Sequence, residues 1–190
     1  MARTPEFDHD KVLEKALDAF WRKGYEATSL NDLLEATGLA RQSLYNTFGD
    51  KHGLFVASLR RYIDRNVALF AKMLESGPVR TAIRRAFEAA LSRATEGCGC
   101  FLVNSATELA PRDPEVRRLI ASAIAGEERA LAEALRRGVR EGELQLTPKR
   151  IEQTARFLVS TLQGLHVIDK AVPDPRAAQD TIAVALRAIE

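Results

Sequence analysis

Apolar residues recur at helical spacing along nearly the whole chain, and no stretch alternates with the two-residue period of a strand. Val12, Leu13, Ala16, Leu17 and Phe20 mark a first helix over about 8–23 that stops at Gly24, with Tyr25 continuing its apolar face. A second begins after Ser29, carries Leu30, Leu33 and Leu34, and ends at Gly38, a residue suited to the left-handed position after a helix. A third follows at once, with Leu44 and Phe48 four residues apart on one side. Asp50 is placed to cap a long fourth helix that opens at Lys51 and runs toward Gly77-Pro78.

The remaining chain keeps the same period. Val79, Ile83, Phe87 and Leu91 predict a helix over 79–95, and a short apolar one follows Gly97-Cys98-Gly99-Cys100 as far as about Ala110. A charged, alanine-rich helix spans about 115–140, closed by Gly138 and Gly142. Thr147-Pro148 starts another that reaches about Lys170, and a last one fills about 176–189. The fold class is all-α, in about nine helices.

The second and third helices, joined by a glycine turn, have the helix-turn-helix pattern. With Leu44 and Phe48 turned inward, Gln42, Ser43 and Asn46 point outward, flanked by Arg41, Tyr45 and Thr47. That face has directed hydrogen-bonding groups and no carboxylate. Amide side chains can bond bidentately to adenine and arginine to guanine or phosphate, so the third helix reads as one that enters a major groove.

Bulk charge does not add to this reading. Residues 1–61 hold nine Lys/Arg and nine Asp/Glu, although from Ala36 to Arg61 the balance is four positive to one negative. A content of 46% hydrophobic residues permits a real core, and no apolar run approaches the ~20 residues of a membrane helix. The N-terminus lacks an apolar signal core, so a cytoplasmic protein is expected, without membrane association. Two cysteines make no disulfide framework, and the three histidines lack the spacing of a metal site, so neither metal nor cofactor is expected.

The run Phe-Trp-Arg-Lys-Gly-Tyr-Glu-Ala-Thr-Ser at 20–29, the turn at Gly38, and Leu44-Tyr45-Asn46-Thr47-Phe48-Gly49-Asp50-Lys51 with Leu54-Phe55 resemble the tetracycline-repressor (TetR) family. The match covers about residues 8–56; Leu34 departs from the alanine found in many members. The segment Gly97–Asn104 with Glu108-Leu109-Ala110-Pro111 is similar to a branch of that family containing electrophile-responsive repressors. The resemblance implies a helix-turn-helix DNA-binding domain over 1–50 and an effector-binding and dimerisation domain over 51–190. It implies a homodimer that binds double-stranded operator DNA and a small-molecule effector, and no enzymatic activity.

Carried onto this chain, the DNA-binding residues are Thr28, Ser29, Arg41, Gln42, Ser43, Tyr45, Asn46, Thr47 and Lys51, with Thr28, Ser29, Tyr45 and Lys51 toward phosphate. Tyr62, Phe87, Phe101, Asn104, Glu108 and His166 are candidates for the effector pocket, being polar or aromatic groups among apolar neighbours. In the last two helices, Ile151, Ala155, Leu158, Leu162, Leu165, Ala178, Ile182, Ala185 and Ile189 are candidates for the dimer interface. Phe157, Thr161, Gly164 and Ile168 form a second stripe, so one stripe can face the core and the other a partner. Cys98 and Cys100 precede a helix, where a thiol is activated toward electrophiles and oxidants; a thiol-based redox repressor is the alternative to a ligand-released one.

Overall fold

The computed structural model describes residues 7–92 and 97–189. The described chain forms α1 (His9–Lys23), α2 (Leu30–Thr37), α3 (Arg41–Phe48), α4 (Lys51–Leu74), α5 (Val79–Ser92), α6 (Phe101–Glu108), α7 (Pro114–Arg140), α8 (Pro148–Ala171) and α9 (Pro175–Ala185). A 3-10 turn, Leu186–Ile189, closes it, where a continuous α-helix was expected. Residues 93–95, predicted to extend α5, lie outside the described residues. The fold is all-α.

Two compact units divide the chain. The first comprises residues 1–64 and 104–120, the second 65–103 and 121–190. The first unit packs α1 over the motif helices. Phe20, Tyr25 and Phe55 form its aromatic centre, with Phe20 edge-on to Phe55 at 5.1 Å and Tyr25 to Phe55 at 5.0 Å. Val12, Ala16, Leu33, Leu44, Leu54 and Leu59 complete it, all buried. Asp8 caps α1, and Ser29 and Asp32 form a capping box at α2, each satisfying the other's free N–H. Lys23 adds an ion pair to Asp32 at 2.7 Å, which with the Ser29 bonds holds that carboxyl far below its usual range. Between α3 and α4 the backbones approach so closely that a Cβ on Gly53 would fall on the Phe48 carbonyl oxygen.

The second unit has its own core, drawn from α4, α5, α7, α8, α9 and the final turn, with Phe70, Ile83, Phe87, Leu131, Leu135 and Leu158 at its centre. Gly138 does not end α7, as expected, but lies within it, where Val79 and Leu144 occupy the space a side chain would need. The stripes of α8 also resolve differently from the expected interface. Ile151, Ala155, Leu158, Leu162, Leu165, Ile182, Ala185 and Ile189 are buried in their own chain's core, and Ala178 is partly buried against it. Their apolar faces are consumed within one chain. The second stripe is the outward one: Phe157 is 47% exposed and Ile168 59%, and on α9 Val184 is 55% exposed.

Replacing Gly53 with alanine is expected to cost about 3 kcal/mol, the upper end for forcing extra volume into a packed site, because the obstacle is backbone. Urea unfolding of the variant checks this; a loss below about 0.5 kcal/mol would show that α3 and α4 can separate freely.

Candidate nucleic-acid interface and effector residues

An eight-residue helix is too short to hold its shape alone. α3 is therefore fixed by its surroundings: Leu44 is fully buried, Phe48 is half-buried with His9 edge-on at 6.1 Å, and Gly38 takes the left-handed conformation at φ 74° that turns the chain between α2 and α3. The opposite face is left to solvent. Arg41, Gln42, Asn46 and Thr47 are exposed, Tyr45 is 42% exposed and Ser43 is half-buried.

Two hydrogen bonds organise this face. Gln42 Nε2 donates to Asn46 Oδ1 at 2.8 Å, so the two amides lie side by side one turn apart. Arg41 Nη2 donates to Asn31 Oδ1 at 3.1 Å, tying the guanidinium to α2. The first turn of α3 holds no acidic residue, and its N-cap, Ala40, provides no side-chain acceptor. Its leading N–H groups are thus open to an anion such as a phosphate.

The expected phosphate residues fare unevenly. Ser29 is exposed, though its hydroxyl already serves the capping box. Lys51 is half-buried, its Nζ 4.4 Å from the Tyr25 ring centroid. Thr28 needs correcting: it is fully buried, and its hydroxyl donates to the Gly24 carbonyl within the turn after α1. Asn31, which sequence reasoning passed over, joins the face through Arg41; a ten-residue separation across a turn gave no periodic signal for it.

The effector candidates divide between the units. In the first, the Tyr62 ring meets Trp21 edge-on at 5.2 Å, and the Asn104 carbonyl accepts from the Thr107 hydroxyl. Glu108 is a correction: its carboxylate accepts the N–H groups of Tyr25 at 3.0 Å and Glu26 at 2.9 Å, clamping the turn between α1 and α2 rather than lining a pocket. Nearby, His52 Nε2 and Asp113 Oδ2 are 2.6 Å apart, and Asp113 also caps α7 through Glu115 and Val116. In the second unit Phe87 and Phe101 are buried, Phe87 tilted against Phe70 at 6.5 Å. His166 is 6% exposed, and burial depresses it to about 4. Glu127, not foreseen, is pushed up to about 7 by burial and accepts from Gln163. Cys98 is partly exposed and Cys100 buried. Among the described residues no group of three His, Cys, Asp or Glu could hold a metal, and no helix is long and apolar enough to cross a membrane.

The sequence profile of bacterial regulatory proteins of the tetR family matches residues 12–58, and that of the tetracyclin repressor-like C-terminal domain matches residues 79–185. The chain belongs to the tetR family. The HTH-type transcriptional regulator YezE of Bacillus subtilis is 36% identical to it, with 100% of both chains covered. The HTH-type repressor ComR of Escherichia coli is 38% identical over 87% of this chain and 80% of its own. Among solved structures, cysteine-substituted CifR complexed with 26-bp double-strand operator DNA aligns at a TM-score of 0.86 and 30% identity, covering 100% of each chain. The reduced form of NemR from E. coli shares the fold at a TM-score of 0.85 and 20% identity, over 95% of this chain and 96% of its own. This tetR-family chain is a transcriptional regulator, of a class that is not enzymatic.

Glu127 and His166 pull stability in opposite directions with pH. Glu127 keeps its proton in the folded chain where the unfolded chain has lost it, so its contribution falls as pH rises from about 4.5 to about 7. His166 refuses a proton that the unfolded chain accepts, so its contribution rises from about pH 4 to about 6.5. Relative to the unaltered protein, Glu127→Gln should gain stability as pH rises across the first window, and His166→Gln as pH falls across the second. Urea unfolding at a series of pH values reads both, and parallel curves would overturn the assignment.

Proposed function

We propose that this regulator is a homodimeric repressor that binds double-stranded operator DNA through α3 and leaves it when a small-molecule effector binds the C-terminal domain. The observation that carries the reading is the exposed face of α3, with paired Gln42 and Asn46 amides, a tethered Arg41, and no carboxylate to repel phosphate. Gln42, Ser43 and Asn46 read base edges, Arg41 is shared between base and phosphate, Thr47 lies on the flank, and Tyr45, Ser29 and Lys51 meet the backbone. The named relatives support repression: ComR is a repressor, and CifR is seen in complex with double-strand operator DNA.

The functional division is a DNA-binding domain over 1–50 and an effector and dimer domain over 51–190. The outward stripe of Phe157, Gly164 and Ile168, with Val184 of α9, is the dimer face. Its exposure favours it over the buried stripe. Two copies related by a two-fold axis would set their α3 helices about 34–36 Å apart, one turn of DNA. Because effector and DNA each favour a different arrangement of the dimer, each lowers the other's affinity by the same factor.

A second reading makes the release signal covalent, at Cys98 or Cys100. The partial exposure of Cys98 favours it, since a reagent can reach that thiol, and the alkyl stem of Lys170 packs over Gly99 between the two. Replacing both cysteines with serine separates the readings. DNA binding survives in either case, but release by electrophile or oxidant disappears only if the thiols sense it.

Binding to the intergenic DNA beside the protein's own gene, measured at two salt concentrations, tests the main reading. The expected result is tight binding that weakens as salt rises, with Gln42→Ala losing about 10- to 100-fold, the worth of one good amide–base pair. Tyr45→Ala should weaken specific and random DNA alike. If selection from random DNA also yields no preferred sequence, the reading fails. For the dimer, Phe157→Arg is expected to shift the protein to monomer in size-exclusion chromatography with light scattering; an intact dimer would remove Phe157 from the interface.

A further inference from the structure

The second unit contains an interior group of polar atoms that its own fold leaves unsatisfied. Glu127 lies on α7 and Gln163 on α8, and Gln163 Nε2 donates to Glu127 Oε2 at 2.6 Å. The other end of that amide, Gln163 Oε1, is buried without a hydrogen-bond partner. Three residues along α8, on the same side of the helix, His166 is 6% exposed and its Nδ1 is likewise buried without a partner.

Acceptors outnumber donors here. A carboxylate has about four lone-pair directions, and Gln163 fills one. Among the described residues no basic side chain pairs with Glu127; Arg156, one candidate on α8, lies 3.8 Å from Glu128 instead. Glu127 is half-buried, and a largely desolvated carboxylate without a cation is costly, as is the orphaned glutamine oxygen beside it. The upward shift of Glu127 to about 7 is the mark of that cost. His166, neutral at pH 7, adds a ring nitrogen rather than a positive charge. What the group lacks is one positive charge bearing several N–H donors.

We propose that Glu127, Gln163 and His166 are the recognition point of the effector site, and that the effector carries a protonated amine or an amidine. Its charge answers Glu127, and its N–H groups answer Gln163 Oε1 and the His166 ring. A neutral hydroxyl brings one donor and no charge, and an anion is repelled. This inference rests on the reading of the C-terminal domain as effector-binding.

The test uses matched cationic and neutral probes on the full-length protein: benzylamine with benzyl alcohol, phenethylamine with phenethyl alcohol, and benzamidine with benzamide. Isothermal titration calorimetry is expected to show at least one cation binding about tenfold more tightly than its neutral partner, the scale of a charge-assisted pair in a dry site. In Glu127→Gln that preference should disappear while the neutral probe is unchanged. No cationic preference in the unaltered protein, or one that persists in Glu127→Gln, would overturn the inference. If the variant does not fold, the paired probes on the unaltered protein decide alone. Operator binding is measured on the same samples. DNA binding that stands while the cations fail removes this inference only, whereas absent DNA binding removes the reading beneath it.

Discussion

The burial of Leu44 is the constraint on which the exposed face of α3 depends. Isolated helices of eight residues do not persist in water, because nucleation costs more than so few hydrogen bonds return. α3 exists because one side of it is sealed against the first unit's core, and the rest of its circumference is thereby released for polar groups. The same seal sets direction. With Leu44 held, Gln42 and Asn46 emerge on the opposite side one turn apart, and the hydrogen bond from Gln42 to Asn46 limits the rotamers of both, so that on the proposed reading less freedom is lost on meeting a base.

That seal is itself supported from far along the chain. The first unit includes residues 104–120, and three of its contacts reach back to the head: Glu108 to the N–H groups of Tyr25 and Glu26, Arg112 to Glu26, and Asp113 to His52. Of these the Glu108 clamp is the strongest in kind. A carboxylate accepting two backbone N–H groups is charge-assisted on both, whereas the Arg112–Glu26 pair is more than half exposed on each side and screened by water. The turn between α1 and α2 therefore has its geometry set partly by a residue 83 positions away.

This explains what could be read from the sequence and what could not. Ser29, Gly38 and Asp50 act on neighbours within about five residues, and Leu44 with Phe48 shows the helical period, so cap and period rules found the motif and its boundaries. The family resemblance rested on the same local residues, and the profile match over 12–58 covers the same ground. Glu108 was read as a pocket residue because a lone carboxylate in an apolar helix has no local partner, and its true partners have no sequence signal. Thr28 was misread for a related reason: a helix start suggests an anion site, but its hydroxyl is used by the preceding turn. On α8 both stripes are apolar at near-heptad spacing, so periodicity identified two faces without telling which was inward. Only the packing of α5 and α9 against Leu158, Leu162 and Leu165 decides that.

The misplaced stripe and the unsatisfied polar group belong to one problem, the demands on α8. α8, a helix of 24 residues, carries two apolar stripes, one inward and one outward. One face is spent on the core, and the outward face with Phe157 and Ile168 stays apolar, a combination that soluble monomers seldom keep over several turns. Between these faces sit Gln163 and His166, polar residues on a helix whose packing needs neither. A leucine in place of His166 would add to the core without leaving an orphaned ring nitrogen, so stability does not account for the histidine. Recognition does. A domain whose interior were wholly apolar could hold a ligand by shape alone, and shape discriminates weakly between molecules that differ by one polar group. Buried polar groups that go unpaired with the wrong molecule discriminate far more strongly. On the proposed reading, the cost carried by Glu127, Gln163 and His166 is thus free energy that a matching ligand would recover.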